Sequence, residues 1–436
     1  MANLPQYITN VQNGDGSAPF CVVNPNNNNE GFIMFDFPSG NNGTFTIDFS
    51  QNPSAYFNLI MVGCGGNGCQ SYGASVISGG GQERSLSLYM AGGGGGGGGS
   101  TTIMSLNPQI YSSPQTSFSP QNTVVCYNTP LICTINNVAT VDSNGKQSNT
   151  EFTLNLPSGF KIIRQAELLG KQLPWYITGN VPSYSCDFIA ANGGNATKAS
   201  ATLDLNQNTN PGSNGSGASG ISTTDEDYIF SNMIIRQGQS GGVGGIIPIY
   251  TNGSLGWVTN ASYPWNQSNE LEPSFTSITV NSVTYSILSG AGGGGGIVSY
   301  VPNNTEDGNL SSSSFFSNPG TYYIPGGQSP YTTSPYGGNS GVVESNGVTL
   351  GTQAQPGQPS VLEANTYYAG NGGGGGSASS DNSYGSNNYI NVNTLWGGQG
   401  SNGLVILYWT QTAGNLNFNG TNVISNWSNI YMPAQS

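Results

Sequence analysis

The chain has 436 residues, enough for a sizeable core, yet only 6% of them are charged: seven Lys plus Arg, twenty Asp plus Glu and no His, with a formal net charge of −13. So few cations leave no electrostatic footprint for DNA, RNA or anionic lipid, and the absence of histidine removes the commonest general base and metal ligand. The 23 Tyr, 16 Phe and 6 Trp speak for a folded chain, because disordered segments are poor in aromatic residues.

In chain order, Met1-Ala2-Asn3-Leu4-Pro5 lacks the basic and apolar regions of a secretory signal, so the expectation is a chain that leaves the cell with an assembly. No stretch approaches 18 apolar residues, so no membrane-spanning helix is expected. Short β-strands follow. Phe45, Ile47 and Phe49 alternate with Thr46 and Asp48, and Phe57 to Val62 is an apolar run that ends at Gly63. A first glycine block, 63–103, holds the tract Gly92 to Gly99. Glycine then thins, and Pro, Asn and Ser clusters separate short strands. One α-helix is predicted over Phe160 to Gly170, where Ile162, Ile163, Ala166 and Leu169 sit at helical spacing beside Lys161 and Arg164. A hairpin joins Ser274–Val280 to Val283–Leu288 through Asn281 and Ser282 and runs into the second tract, Gly292 to Gly296. The third tract, Gly372 to Gly376, precedes the apolar strand Leu404 to Trp409. The expected divisions are therefore 1–103, strands and first glycine block; 104–289, a glycine-poor β insert; 290–412, second glycine block and closing strand; and a polar tail, 413–436.

Dense glycine usually means a flexible linker, since glycine loses the most backbone entropy on ordering. An ordered all-glycine run must instead place its N–H and C=O groups, because buried peptide groups are rarely left unpaired. The expected solution is a bundle of polyproline-II-like helices whose bare backbones approach and hydrogen-bond sideways. On that reading Gly92, Gly94, Gly99, Gly292, Gly294, Gly296, Gly372 and Gly376 are structural. The predicted fold is all-β, a jelly-roll or sandwich-like framework carrying a packed polyglycine-helix layer, with little helix.

Little in the chain points to chemistry. Cys21, Cys64, Cys69, Cys126, Cys133 and Cys186 are even in number and suggest three disulfides, with free thiols as the alternative. Gly63-Cys64-Gly65-Gly66-Asn67-Gly68 satisfies a dinucleotide-binding fingerprint, but no helical pattern follows to hold a pyrophosphate. Asp225, Glu226 and Asp227 form the densest acidic cluster and read as a solvated turn or a weak calcium site rather than a catalytic pair. No catalytic set, cofactor or metal is expected. Trp257, Tyr263, Trp265, Tyr322, Tyr323, Tyr331 and Tyr336 lie in polar surroundings; they read either as contact loops or as caps on the glycine layers. The scarcity of titrating groups suits an acidic environment and a weakly pH-dependent stability.

The strand Leu59-Ile60-Met61-Val62 entering Gly63, the hairpin feeding glycine from Tyr285 to Gly296, and the closing Gly400-Ser401-Asn402-Gly403-Leu404-Val405-Ile406 resemble glycine-rich domains. Such domains occur in phage tail-fibre adhesins and in the extracellular region of anaplastic-lymphoma-kinase-type receptors. The resemblance covers about 30–103 and 274–409. It implies polyglycine helices in a hexagonal layer tied to a β-framework, with intervening loops that touch a host. The function expected is that of a non-enzymatic structural protein on the exterior of a virus particle: a capsid decoration, spike or fibre. Its partners would be other particle subunits, itself in a homo-oligomer, or a host glycan or receptor, with no nucleic acid and no membrane insertion. A surface-filament subunit and a carbohydrate-active enzyme on a β-scaffold are the alternatives.

Overall fold

The structure, a computed structural model, describes residues 3–36, 42–48, 51, 56–78, 85–105, 109–110, 123–126, 131–142, 146–156, 161–168, 171–175, 184–202, 208–210, 212–213, 215–218, 221–223, 233–242, 246–249, 274–293, 295–296, 298–300, 322–324, 365–376, 378–384, 390–412 and 416–422. No helix of α type occurs among them.

Three stacked sheets form the framework. The middle one has seven strands, in the order Phe20–Val23, Gly31–Phe35, Leu404–Thr410, Tyr56–Val62, Thr101–Ser105, Met233–Arg236 and Thr421–Asn422. Its inner strands are continuous apolar runs because both of its faces are covered. Every residue of Leu404–Thr410 is buried. Val405, Leu407 and Trp409 point into one core, with Phe35, Phe57, Phe152 and Phe188; Leu404, Ile406 and Tyr408 point into the other, with Phe32, Ile278, Ile287 and Tyr367. The period-two geometry of a strand thus sends one segment into two cores. The buried Trp409 indole donates to Asn28 O at 3.1 Å, so its burial leaves no unpaired N–H.

The first core is closed by a six-stranded sheet, Ile8–Asn13, Gly43–Ile47, Leu131–Asn137, Thr150–Leu156, Tyr184–Ala190 and Ile221–Thr223. The second is closed by a four-stranded sheet, Thr366–Ala369, Val283–Ser289, Ser274–Val280 and Leu416–Phe418. The hairpin in that sheet turns at Asn281 and Ser282, with φ of 50° and 65°, the left-handed pair that a two-residue turn requires. The segment expected to be helical is a strand instead. Lys161–Leu168 pairs with Thr123–Val125 on one side and with Lys171–Trp175 on the other. Backbone pairing on both edges overrides a short helical period, and Ile162 and Ile163 are β-branched residues that favour a strand.

Beyond one end of the sandwich the strands continue as extended glycine-rich segments. Among the described residues there are eight: 63–71, 92–100, 191–199, 212–218 (described except at 214), 237–242, 290–296 (described except at 294), 370–376 and 395–403. The segment 92–100 lies in the middle. Its N–H groups cycle among three neighbours: Gly93, Gly96 and Gly99 donate to Gly376, Gly373 and Gly370; Gly94, Gly97 and Ser100 to Thr197, Gly194 and Ala191; Gly95 and Gly98 to Gly242 and Gln239. Its carbonyls accept from 63–69, from 212–218 and from 293–296 in the same rhythm. A donor direction that repeats every third residue is the signature of a three-residue-per-turn, polyproline-II-like helix. The six neighbours also bond to one another in a closed ring, through Gly193 to Cys64, Gly194 to Ser216, Gly238 to Ala218, Gln239 to Gly290, Gly372 to Ala291 and Gly373 to Gly66, at 2.7–2.9 Å. This is hexagonal packing around a central helix.

The rows of this lattice are the sheets extended. Strands 404–410, 56–62, 101–105 and 233–236 of the middle sheet lead to or from the segments 395–403, 63–71, 92–100 and 237–242. Segments 191–199 and 212–218 belong to the row of the six-stranded sheet, and 290–296 and 370–376 to that of the four-stranded sheet. Sheets packed through side chains stand about 10 Å apart. Where the side chains stop, the rows close up until backbone bonds backbone.

Candidate functional site

All eight helices run between the framework and a distal set of strands. Segments 63–71 and 92–100 lead to and from the hairpin Tyr72–Ser78 with Ser85–Ala91, which Ile246–Ile249 extends to three strands. Segment 191–199 continues into Ser200–Thr202, paired with Asn208–Asn210 ahead of Gly212. A four-stranded distal sheet comprises Tyr322–Ile324, Val298–Tyr300, Ala378–Tyr384 and Ile390–Thr394. Nine residues of the central helix at about 3.1 Å each hold this distal end ~28 Å from the framework.

On one flank of the layer, helix 63–71 faces outward between 191–199 and 395–403. Each of the three carries a larger residue at every third position on that face: Cys64, Asn67 and Gln70; Asn192, Asn195 and Lys198; Trp396, Gln399 and Asn402. Nearest the framework, Asn192 Oδ1 accepts from Cys64 N at 3.0 Å, and Val141 N donates to Asn402 Oδ1 at 3.1 Å. In the middle rung Asn195 Oδ1 accepts from Asn67 N at 2.8 Å and from Asn67 Nδ2 at 3.0 Å, while Gly400 N donates to Asn67 Oδ1 at 3.0 Å. A framework segment covers this inner part: Gln147 Nε2 donates to Gly65 O at 2.9 Å and Gly193 O at 2.8 Å, and Gln399 Nε2 donates to Asp142 O at 3.1 Å.

The third, distal rung breaks the pattern. Opposite Gln70 stands Lys198, which has no acceptor with which to continue the asparagine ladder. Here the flank opens into a cleft of about 560 Å³, lined by Asn67 to Gln70, Asn195, Lys198 and Trp396 to Gln399. Trp396 is 66% exposed, the most exposed of the large apolar side chains among the described residues. Among the described residues, the lining of this cleft contains no Asp or Glu.

Several expected site residues fall elsewhere. Gly92, Gly94, Gly99, Gly292, Gly296, Gly372 and Gly376 are in the packed lattice, whereas Gly294 lies outside the described residues. So do Trp257, Tyr263, Trp265, Tyr331, Tyr336 and the acidic cluster at 225–227. Tyr322 and Tyr323 are in the distal sheet, opposite Tyr300 and Ser299. The fingerprint at 63–68 is a lattice helix: its Gly63, Gly65, Gly66 and Gly68 N–H groups already donate to Ser100, Ser401, Gly97 and Gly398, leaving no nest for phosphate.

The three-disulfide expectation is overturned for four of the six cysteines: Cys21, Cys64, Cys69 and Cys133 are free. Cys64 and Cys69 share one extended helix, which at about 3.1 Å per residue separates them by ~15 Å, beyond the ~7 Å Cα limit for a bridge. Each has its own partner: Cys64 Sγ reaches Ser148 O at 3.7 Å and Cys69 Sγ reaches Ala196 O at 3.0 Å. Burial pushes the Cys21 thiol up to about 11 and Cys64 to about 12, and holds fully buried Cys133 well above its ordinary value. Such thiols are inert packing residues. The side chains of Cys126 and Cys186 lie outside the described residues.

No family model, no curated protein and no solved structure matches the chain. Among the described residues there is no cluster of potential metal ligands, and no helix is long and apolar enough to cross a membrane.

Proposed function

We propose that this chain is a non-enzymatic structural protein on the exterior of a virus particle, a decoration, spike or fibre whose distal end meets the host. The observation that carries the reading is the division of the molecule into framework, spacer and tip. The spacer is a hydrogen-bonded lattice with almost no side-chain freedom, so the distal hairpins are presented at a fixed distance and orientation. Recognition surfaces gain from such rigidity because less entropy is lost on contact. A polar surface with few charges is consistent with function outside the cell across a range of pH. A cleft whose described lining holds amides, a lysine and an indole but no carboxylate suits binding better than glycoside hydrolysis, which needs two carboxyl groups.

The test is immunogold labelling of purified particles with an antibody raised against the distal hairpin 72–91. Periodic labelling of intact particles is the expected result. Label on cell-attached filaments, or absence of the chain from particles, would overturn the proposal.

A further inference from the structure

We infer that the distal cleft is a binding site for a saccharide bearing a carboxylate, a hexuronate-type glycan. This rests on the attachment reading above and names the ligand class that such a contact would take.

The cleft is built where a regular pattern is interrupted. At the two inner rungs of the flank, the asparagines of helix 191–199 cap the outward N–H groups of helix 63–71, and a framework segment covers them. At the outer rung the same register brings together Lys198, Gln70 and Trp396, with no framework residue among the described lining of the cleft. The lattice beneath is rigid: Gly68 N donates to Gly398 O at 2.9 Å, Ser71 N to Leu395 O at 3.1 Å and Cys69 N to Gly94 O at 2.9 Å. Three side chains on neighbouring helices are thereby held on a floor that cannot collapse.

Their chemistry is complementary to a pyranose. An exposed indole offers a broad apolar face with negative electrostatic character, on which the C–H face of a sugar ring can lie. The Gln70 amide makes no hydrogen bond among the described residues, so it presents two donors and an acceptor, the set needed by vicinal hydroxyls. Lys198 is one of only seven cationic residues in a chain of net charge −13, and it is exposed at this cleft. A carboxylate on the sugar would find its attraction here, and no Asp or Glu stands among the described lining residues to oppose it directly.

The experiment is calorimetric titration of the full chain with a tetramer of galacturonic acid and, separately, with its methyl ester. We expect the acid to bind at least tenfold more tightly than the ester. Trp396→Ala should weaken both at least tenfold, and Lys198→Gln should remove the preference for the acid while keeping binding of the ester. Both side chains are exposed, so an unchanged Tm verifies that the variants fold. Absence of binding by either saccharide at millimolar concentration, indifference to Trp396→Ala, or equal binding of acid and ester by the parent chain would overturn the site. Labelled particles with no saccharide binding sink this site alone, whereas saccharide binding by a chain absent from particles sinks the particle assignment alone.

Discussion

The sandwich and the glycine lattice are made by the same strands, but different physics holds each together. In the sandwich, side chains such as Trp409, Phe57 and Phe152 fill the space between sheets, and stability comes from apolar surface removed from water. In the lattice there is nothing to bury except backbone. Each helix gains from hydrogen bonds to several neighbours and from close backbone contact, which together offset the large entropic cost of ordering glycine. The lesson is one of tolerance. A side-chain core accepts changes of a methylene or two at modest cost, whereas a lattice of bare backbones has no room for a single methyl group at its interior positions.

The sharpest way to break the comparison is Gly97→Ala in the central helix. A methyl there would fall on the Ser216 carbonyl, and one at Gly94 would fall on that of Ser213. Backbone held on all sides cannot yield, so we expect each variant to lose more than about 5 kcal/mol, beyond what most single substitutions cost. Urea unfolding of the purified variants measures this, and an unchanged midpoint would refute the packed lattice.

In the sandwich, Trp409→Ala removes a fully buried indole from the first core and the hydrogen bond to Asn28. The expected loss is about 3–5 kcal/mol, with the fold retained at low temperature. A cost larger than that of Gly97→Ala would reverse the proposed order of tolerance.

Asn67→Ala probes the boundary between the regimes, where a side chain ties three glycine helices together. Its removal leaves Gly400 N without its acceptor and Asn195 Oδ1 without one donor, and should cost about 1–3 kcal/mol. A neutral result would mean that the lattice needs no help from its outer face.

The smallest effect concerns pH. Thiols whose pKa is raised by burial are protonated in both states below the unfolded value. They therefore contribute nothing to pH dependence until the unfolded chain begins to ionise. Stability should fall only as pH rises from about 8.5 toward the folded values of about 11 for Cys21 and about 12 for Cys64. On the acid side, Asp15 is held below the usual carboxylate range by Ser17, so its small contribution disappears as pH falls through that range. Tm measured from pH 4 to pH 8 should be nearly flat; a steep fall on acidification would show that carboxylates govern stability after all.

Much of the sandwich was legible in the residues. The alternation at Phe45 and Ile47, the apolar run before Gly63, the turn at Asn281 and Ser282, and the strand Leu404 to Trp409 carry their own periodicity and turn chemistry. The long tracts were legible too, since eight consecutive glycines have no side chain with which to pack. The interval 104–289 is glycine-poor and built of strands, yet its part in the lattice was not legible. It supplies three of the lattice helices, 191–199, 212–218 and 237–242, in which Asn, Ser, Thr, Gln and Ala replace many glycines. A signal was present in Asn192, Asn195 and Lys198, in Cys64, Asn67 and Gln70, and in Trp396, Gln399 and Asn402. Larger residues recur there every third position, the period of a helix that shows only one face to solvent. The cleft escaped notice because its three side chains come from helices more than a hundred residues apart.

By itself, then, the amino-acid sequence determined an all-β protein with few charges, two-faced apolar strands, and glycine runs that could order only against other backbone. The tertiary structure alone decided which segments entered the lattice, that Cys64 and Cys69 stay apart, and that Lys198, Gln70 and Trp396 share one rung. The reason is physical. A strand or an α-helix announces itself through its own periodic side chains or local hydrogen bonds, whereas a polyglycine helix has no internal hydrogen bonds and exists only through the neighbours that receive its N–H groups.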